Sequence, residues 1–226
     1  MLTKFLALRL SGVMQSWGYN SAYTYRNTGL FPTKSAVLGL CCAAKGLDRG
    51  SDEEREFLEA VADCTMTAVA LPRIRTVGVK KWTVDVRRIE DFHTVEKTIT
   101  ASGKTNPNAV MTYRQYLCDA DFLVLIEMDA NAADDLKEKL SNPDWGVWLG
   151  RKSCIPSAPV FAGTFSNMDE VRNDLLQGKP IEAFTFQKEV KTFEQGTDTL
   201  MDKPIDYAID KRERSHRRVK ICEAGK

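Results

Sequence analysis

The sequence predicts an α+β protein with a ferredoxin-like βαββαβ core, and three observations carry the prediction. With residues 73–116 set aside, the elements run strand, helix, strand, strand, helix, strand. A helix that is apolar almost all round follows the first strand and its loop, so it must be buried. The stretch set aside is rich in Arg, Lys, Thr and Val but too poor in apolar residues for a core of its own, so it reads as a β-hairpin insertion. The order of core elements is shared with RNA-recognition modules.

Each element has a local reason. In Lys4 to Leu10 the residues alternate, with Leu6, Leu8 and Leu10 on one face and Phe5, Ala7 and Arg9 on the other. A loop from Ser11 to Gly18 follows, and then an aromatic and polar segment. Gly29-Leu30-Phe31-Pro32-Thr33-Lys34-Ser35 opens the apolar helix, Lys34 to Lys45. Pro32 suits a helix start, Thr33 or Ser35 can cap it, and Gly46 is a natural stop. Ser51-Asp52-Glu53-Glu54 is a capping box for an amphipathic helix that buries Phe57, Leu58, Val61 and Ala62. Thr65 to Leu71 reads as a strand ended by Pro72.

The insertion carries a Gly/Asn/Pro tip at Ser102 to Asn108, expected to be flexible. Ala120 to Met128 is a strong strand, Asn131 is placed to cap a helix over Ala132 to Leu140, and Pro143 ends it. Trp145 to Leu149 is expected as the fourth core strand. Beyond it the signals weaken to a short helix near Asp169 to Leu176 and an alternation of Phe184, Phe186 and Val190. The expected boundaries are a core of residues 1–72 and 117–165, an insertion of 73–116, and a C-terminal extension of 166–226 with a basic tail.

No apolar run approaches the roughly 18 to 20 residues that cross a bilayer, and Lys4 and Arg9 interrupt the N-terminal stretch; a cytoplasmic protein is expected. The six cysteines include no C-x-x-C pair and there are two histidines, so the spacing offers no zinc site and no cofactor is implied. A net charge of +1 conceals segregation. Residues 48–59 carry six acidic side chains against two basic, residues 73–114 nine basic against four acidic, and residues 211–220 six basic against one acidic. Such a division fits a protein with one face toward a polyanion and one acidic solvated face, although charge runs are equally often plain surface.

The helix start, with Lys34 beside exposed amides, is a candidate anion site. The spacing argues against a nucleotide-binding P-loop, because Gly29 stands five residues before Lys34 and Thr33 replaces the Gly that such a loop requires. A single phosphodiester needs less and fits better. Trp17, Tyr19, Tyr23 and Tyr25, with Arg26 beside them, suit stacking on single-stranded RNA, Trp17 being the one most naturally packed inside. Arg114, next to Tyr113 at the base of the insertion, and Arg151 and Lys152 suit phosphate and base-plane contacts, with surface ion pairs as the plain alternative. His93, with Lys97 and Tyr113, contains the parts of a metal-independent ribonuclease, but a hydrogen-bonding or RNA-contacting role for a lone His near Asp91 fits better. His216 reads as solvated.

Together five ordered motifs resemble a known family. They are Gly12-Val13-Met14-Gln15-Ser16-Trp17-Gly18, Phe31-Pro32-Thr33-Lys34-Ser35, Asp91-Phe92-His93-Thr94-Val95, Tyr113-Arg114-Gln115-Tyr116-Leu117-Cys118-Asp119-Ala120 and Leu149-Gly150-Arg151-Lys152-Ser153-Cys154. Over residues 4 to 165 they look like the CasD subunits of type I-E CRISPR Cascade, members of the RAMP superfamily. The resemblance implies a ferredoxin-like palm with a β-hairpin thumb. It also implies a non-catalytic RNA-binding role in antiviral defence, capping the backbone filament and gripping the 5′ handle of CRISPR RNA. Implied partners are that RNA, the backbone subunit next to the thumb and the large subunit, with target DNA met only through the assembled complex. The RNA contacts implied or read from the residues are Gln15, Tyr25, Arg26, Lys34, Ser35, His93, Tyr113, Arg114, Arg151 and Lys152. The different-class alternative is a metal-independent endoribonuclease acting on the CRISPR repeat, as in a related subunit of another type I system; a nucleotide-binding switch is the third.

Overall fold

Strand β1, Thr3–Ser11, divides the interior as its alternation demands. Leu6, Leu8 and Leu10 enter one apolar core, while Ala7, with Phe5 packed nearby, enters a second on the opposite side. The computed structural model describes residues 2–21, 24–100, 102–208 and 212–225. Met14–Gln15 (β2) and Tyr25–Arg26 (β3) are two-residue strands within the first loop region. Helix α1, Lys34–Lys45, ends at Gly46, whose left-handed φ of 69° lets its amide reach back to the carbonyls of Ala43 and Cys42. Thr33 holds the N-cap position, yet its hydroxyl makes no capping bond. In α2, Asp52–Val61, Ser51 Oγ accepts from the Glu54 amide at 3.1 Å, while the Glu54 carboxylate accepts from Gly50 at 2.7 Å. The box therefore closes one residue further out than the simplest form of the motif.

After β4 (Thr65–Ala70) the insertion proves to be two hairpins in succession instead of one. Arg73–Val77 (β5) pairs with Lys80–Val84 (β6) in a separate two-stranded sheet. Arg87–Val95 (β7) pairs with Val110–Cys118 (β8), from Arg87↔Cys118 to Val95↔Val110. Asp121–Asp129 (β9) leads into α3, Ala130–Ser141, whose cap is Asp129, accepting from the Asn131 amide at 2.9 Å. Asn131, expected as the cap, lies inside the helix.

Residues 145–149 form no strand. The amides of Asp144 and Trp145 instead bond the carbonyls of Ala44 and Ala43 at 3.0 and 3.2 Å, so the segment satisfies the exposed end of α1. The fourth core strand is Phe161–Phe165 (β10). Helix α4, Met168–Leu175, follows, and then Thr185–Val190 (β11), Asp198–Asp206 (β12) and Glu213–Cys222 (β13).

These strands make one seven-stranded antiparallel sheet in the order β10-β1-β9-β4-β11-β13-β12. Its first four have the ferredoxin-like order, fourth-first-third-second. Helices α1 and α3 pack on one face and α4 on the other. The last three strands prolong the same sheet. The described part of the expected basic tail is strand β13, paired on both sides, with Arg217 buried. Its charge concealed it in the sequence, since no apolar alternation survives among the arginines. All six cysteines are free thiols. Among the described residues no helix is long and apolar enough to cross a membrane, and no His, Cys, Asp and Glu side chains group as metal ligands.

Candidate RNA-binding cleft

The start of α1 already holds an anion, and that anion belongs to the chain. The Lys34 amide donates to Asp202 Oδ2 at 2.8 Å, and the Arg217 guanidinium grips the same carboxylate at 2.6 and 2.9 Å. Lys34 is 1% exposed. Its ammonium donates to the Cys64 carbonyl at 2.7 Å and to both oxygens of Glu189 at 2.9 and 2.8 Å. Three donors meet three acceptors, so nothing remains for a phosphate. Burial pulls the Lys34 pKa down, and Glu189 opposes that pull. The expected RNA contact at Lys34 is thus corrected to a buried lock that ties α1 to β11, β12 and β13.

Gln15 is corrected in the same way. It is wholly buried, its amide donating to the Leu10 and Ala120 carbonyls at 2.9 and 2.7 Å and its oxygen accepting from the Trp17 indole at 3.0 Å. Trp17, also buried, is packed and not presented to a ligand. Tyr23 lies outside the described residues.

Other candidates are brought together. Strand β3 lies parallel to β8 with Tyr25 opposite Tyr113 and Arg26 opposite Arg114. The two tyrosine rings stack with centroids 4.6 Å apart and planes 6° from parallel, and Phe92 meets Tyr113 edge-on at 5.0 Å. Arg114 Nε donates to Thr112 Oγ1 at 3.1 Å. His93 Nε2 lies 2.6 Å from Asp91 Oδ2 on the β7 strand.

Beside this aromatic step opens a cleft of about 880 Å³, walled by the first loop, α1, the 145–152 segment and the edge of the C-terminal hairpin. Among the described residues six cations line it, namely Arg26, Arg49, Arg151, Lys152, Arg212 and Arg214, against one carboxylate, Glu54. Tyr19, Trp145, Trp148 and Tyr207 supply ring faces, and Thr33 and Ser35 present the α1 start to it. Arg151 spans the mouth. Its guanidinium sits 4.6 Å over the Tyr116 ring, one Nη donates to the Arg26 carbonyl at 3.0 Å, and the other is buried with no partner. At the far end burial depresses the Arg212 pKa, and the nearby charges of Arg214 and Arg49 add to the effect. Arg214 Nε is likewise buried without a partner. Like charges held this close, in excess over the Glu54 carboxylate, favour an anionic occupant. Burial also raises the Glu54 pKa, opposed by the Gly50 amide that it accepts from.

Arg49, Trp145, Trp148, Arg212 and Arg214 were missed in the sequence. Arg49 stood in an acidic run, the tryptophans in an expected strand, and the two arginines in an expected tail. Only the fold draws them to one wall.

Gly150 fixes that wall. Its φ is +92°, and a Cβ there would sit 1.8 Å from the Ser16 carbonyl oxygen, while the Ser16 amide donates to Leu149 at 3.0 Å. Gly150→Ala is expected to destabilise the protein by about 3 kcal/mol, through positive-φ strain plus backbone collision. Urea unfolding checks it; a change below about 1 kcal/mol contradicts this packing.

The chain combines a ferredoxin-like palm, a β-ribbon insertion and a basic, aromatic cleft, and solved structures share the fold. More particularly, the chain belongs to the CRISPR-associated protein (Cas_Cas5) family, which matches residues 5–220. It is 31% identical over 208 residues to the CRISPR system Cascade subunit CasD of Escherichia coli (strain K12), covering 90% of each chain. Its fold is similar to that of a chain in a CRISPR RNA-guided surveillance complex, with a TM-score of 0.70 at 24% identity over 96% of this chain and 88% of that one. A crystal structure of a Cas protein is similar at a TM-score of 0.60 and 23% identity, over 96% and 93% of the two chains.

Proposed function

We propose that this chain is a non-catalytic RNA-binding subunit of a type I-E CRISPR surveillance complex that grips the 5′ handle of CRISPR RNA. The observation that carries the reading is the cleft, whose described lining has six cations to one carboxylate with four aromatic rings, which suits an irregular single strand whose bases splay and stack. The CasD relative is a Cascade subunit by name, and its likeness over 90% of the chain supports the same assembly here. In this reading Arg26, Arg114, Arg151 and Lys152 hold phosphates, Tyr25 and Tyr113 form the stacked step at the thumb base, and Ser35 lines the cleft floor. The thumb faces the adjacent backbone subunit, the large subunit lies nearby, and target DNA is met only in the assembled complex, where guide pairing reads its sequence.

A repeat-cleaving endoribonuclease is disfavoured by the absence of His93 from the described cleft lining. Incubating the purified chain with repeat RNA in EDTA separates the two. Uncleaved binding is expected, and specific cleavage lost in His93→Ala would overturn the binding-only reading. Arg26→Ala and Arg114→Ala should each weaken binding and flatten its salt dependence by about one unit of slope.

A further inference from the structure

One face of α1 forms the floor of the cleft, and at its head stands a hydroxyl that the fold does not use. Thr33, Ser35, Ala36, Gly39, Leu40 and Ala43 line the cleft from this side, so behind two hydroxyls the floor is apolar. Thr33 is 4% exposed. Its backbone plays the usual part at a helix start, the carbonyl accepting from the Ala36 and Val37 amides at 3.1 and 3.0 Å. A threonine at this position ordinarily caps with its side chain as well. Here the hydroxyl makes no capping bond, and among the described residues Thr33 Oγ1 is buried without a partner. A buried hydroxyl left unpaired is destabilising, so one kept in the wall of a binding cleft calls for a ligand group.

The surroundings say which group. The Asp202 carboxylate already meets the Lys34 amide at the helix start, so a second anion placed there would face that carboxylate at short range. A threonine hydroxyl can both give and take a hydrogen bond, and a neutral group with the same double capacity suits it. In the sugar–phosphate backbone that group is the ribose 2′-hydroxyl, which DNA lacks. The floor behind it, at Ala36 and Gly39, is small enough for a sugar ring to lie against the helix. The six cations stand on the other walls, where the phosphates of the same strand would run.

We propose that Thr33 Oγ1 reads a ribose 2′-hydroxyl and makes the cleft selective for RNA over DNA. The proposal rests on the reading that the cleft holds the handle strand. It adds a discrimination that the cations cannot supply, because both nucleic acids carry the same phosphates.

The test is binding by the full chain of the constant 5′ segment of its co-purified RNA, synthesised as RNA and with 2′-deoxyribose at one position at a time. At one position the deoxy sugar should weaken binding about three- to tenfold, the size of one lost hydrogen bond. In Thr33→Val, which keeps the shape and removes the hydroxyl, that position should become insensitive, and Thr33→Ser should restore the difference. Urea unfolding of Thr33→Val should show an unchanged or raised midpoint, since the hydroxyl removed has no partner in the fold. A lowered midpoint would assign the hydroxyl to the helix and overturn the proposal. Equal sensitivity in Thr33→Val and the unaltered chain overturns it, as does insensitivity at every position in a chain that prefers the constant segment. A flatter salt dependence in Thr33→Val overturns it too, by placing a phosphate on the hydroxyl. Failure of the handle reading would appear separately, as no preference of the unaltered chain for the constant segment over a scrambled RNA.

Discussion

Asp202→Ala is expected to cost about 3–5 kcal/mol of stability, because it leaves the buried Arg217 guanidinium without its principal counterion. The two side chains are 0% and 2% exposed and their shortest contact is 2.6 Å. The same carboxylate terminates α1 at the Lys34 amide, so the loss also leaves a helix-start donor unpaired. Replacing the pair together, as Asp202→Leu with Arg217→Met, should recover most of the loss, since no buried charge is then stranded. Urea unfolding of the singles and the double decides the matter. A single-variant loss below about 1 kcal/mol would mean that the ion pair does not join α1 to the C-terminal strands.

Arg151→Ala is expected to weaken handle binding by about 2–3 kcal/mol, or roughly 30- to 150-fold. Its guanidinium is poised over Tyr116 and fixed by the Arg26 carbonyl, with one nitrogen left buried and unpartnered. Truncation therefore removes a preorganised cation at little expense to the fold. Lys152→Ala, on an exposed and unrestrained side chain, should cost far less. Comparable losses in both would show that the cleft acts as a diffuse charge field without a defined contact.

What the sequence made legible follows from what is local. The continuous apolar run Ala36 to Ala44 with Gly46 behind it allows little but a buried helix, and the alternation around Leu6 and Ala7 serves two cores. Tyr25, Arg26, Tyr113 and Arg114 were legible as candidates because aromatic and cationic neighbours at the ends of extended segments have few packing uses, and the β3–β8 pairing brings the four together. Lys34 was misread for the opposite reason. A lysine at a helix start looks free until Glu189, 155 residues away, is found beside it. Trp145 to Leu149 has the composition of a strand, but the open carbonyls at the end of α1 claim its leading amides first. The arginines of β13 suggest a solvated tail, and only the sheet shows that one of them neutralises Asp202.

The same logic moves the anion site. The α1 start is satisfied from within the chain, so the RNA backbone is proposed to lie instead along the wall where Arg151 and Arg214 each keep a buried nitrogen without a partner among the described residues. Sequencing the RNA that co-purifies with this chain and its neighbouring subunits tests that claim most directly, with Arg151→Glu prepared alongside. The account predicts a constant 5′ end on varied spacers for the unaltered chain and marked depletion of that RNA in Arg151→Glu. RNA with random 5′ ends, or equal recovery of handle RNA from both proteins, would contradict it.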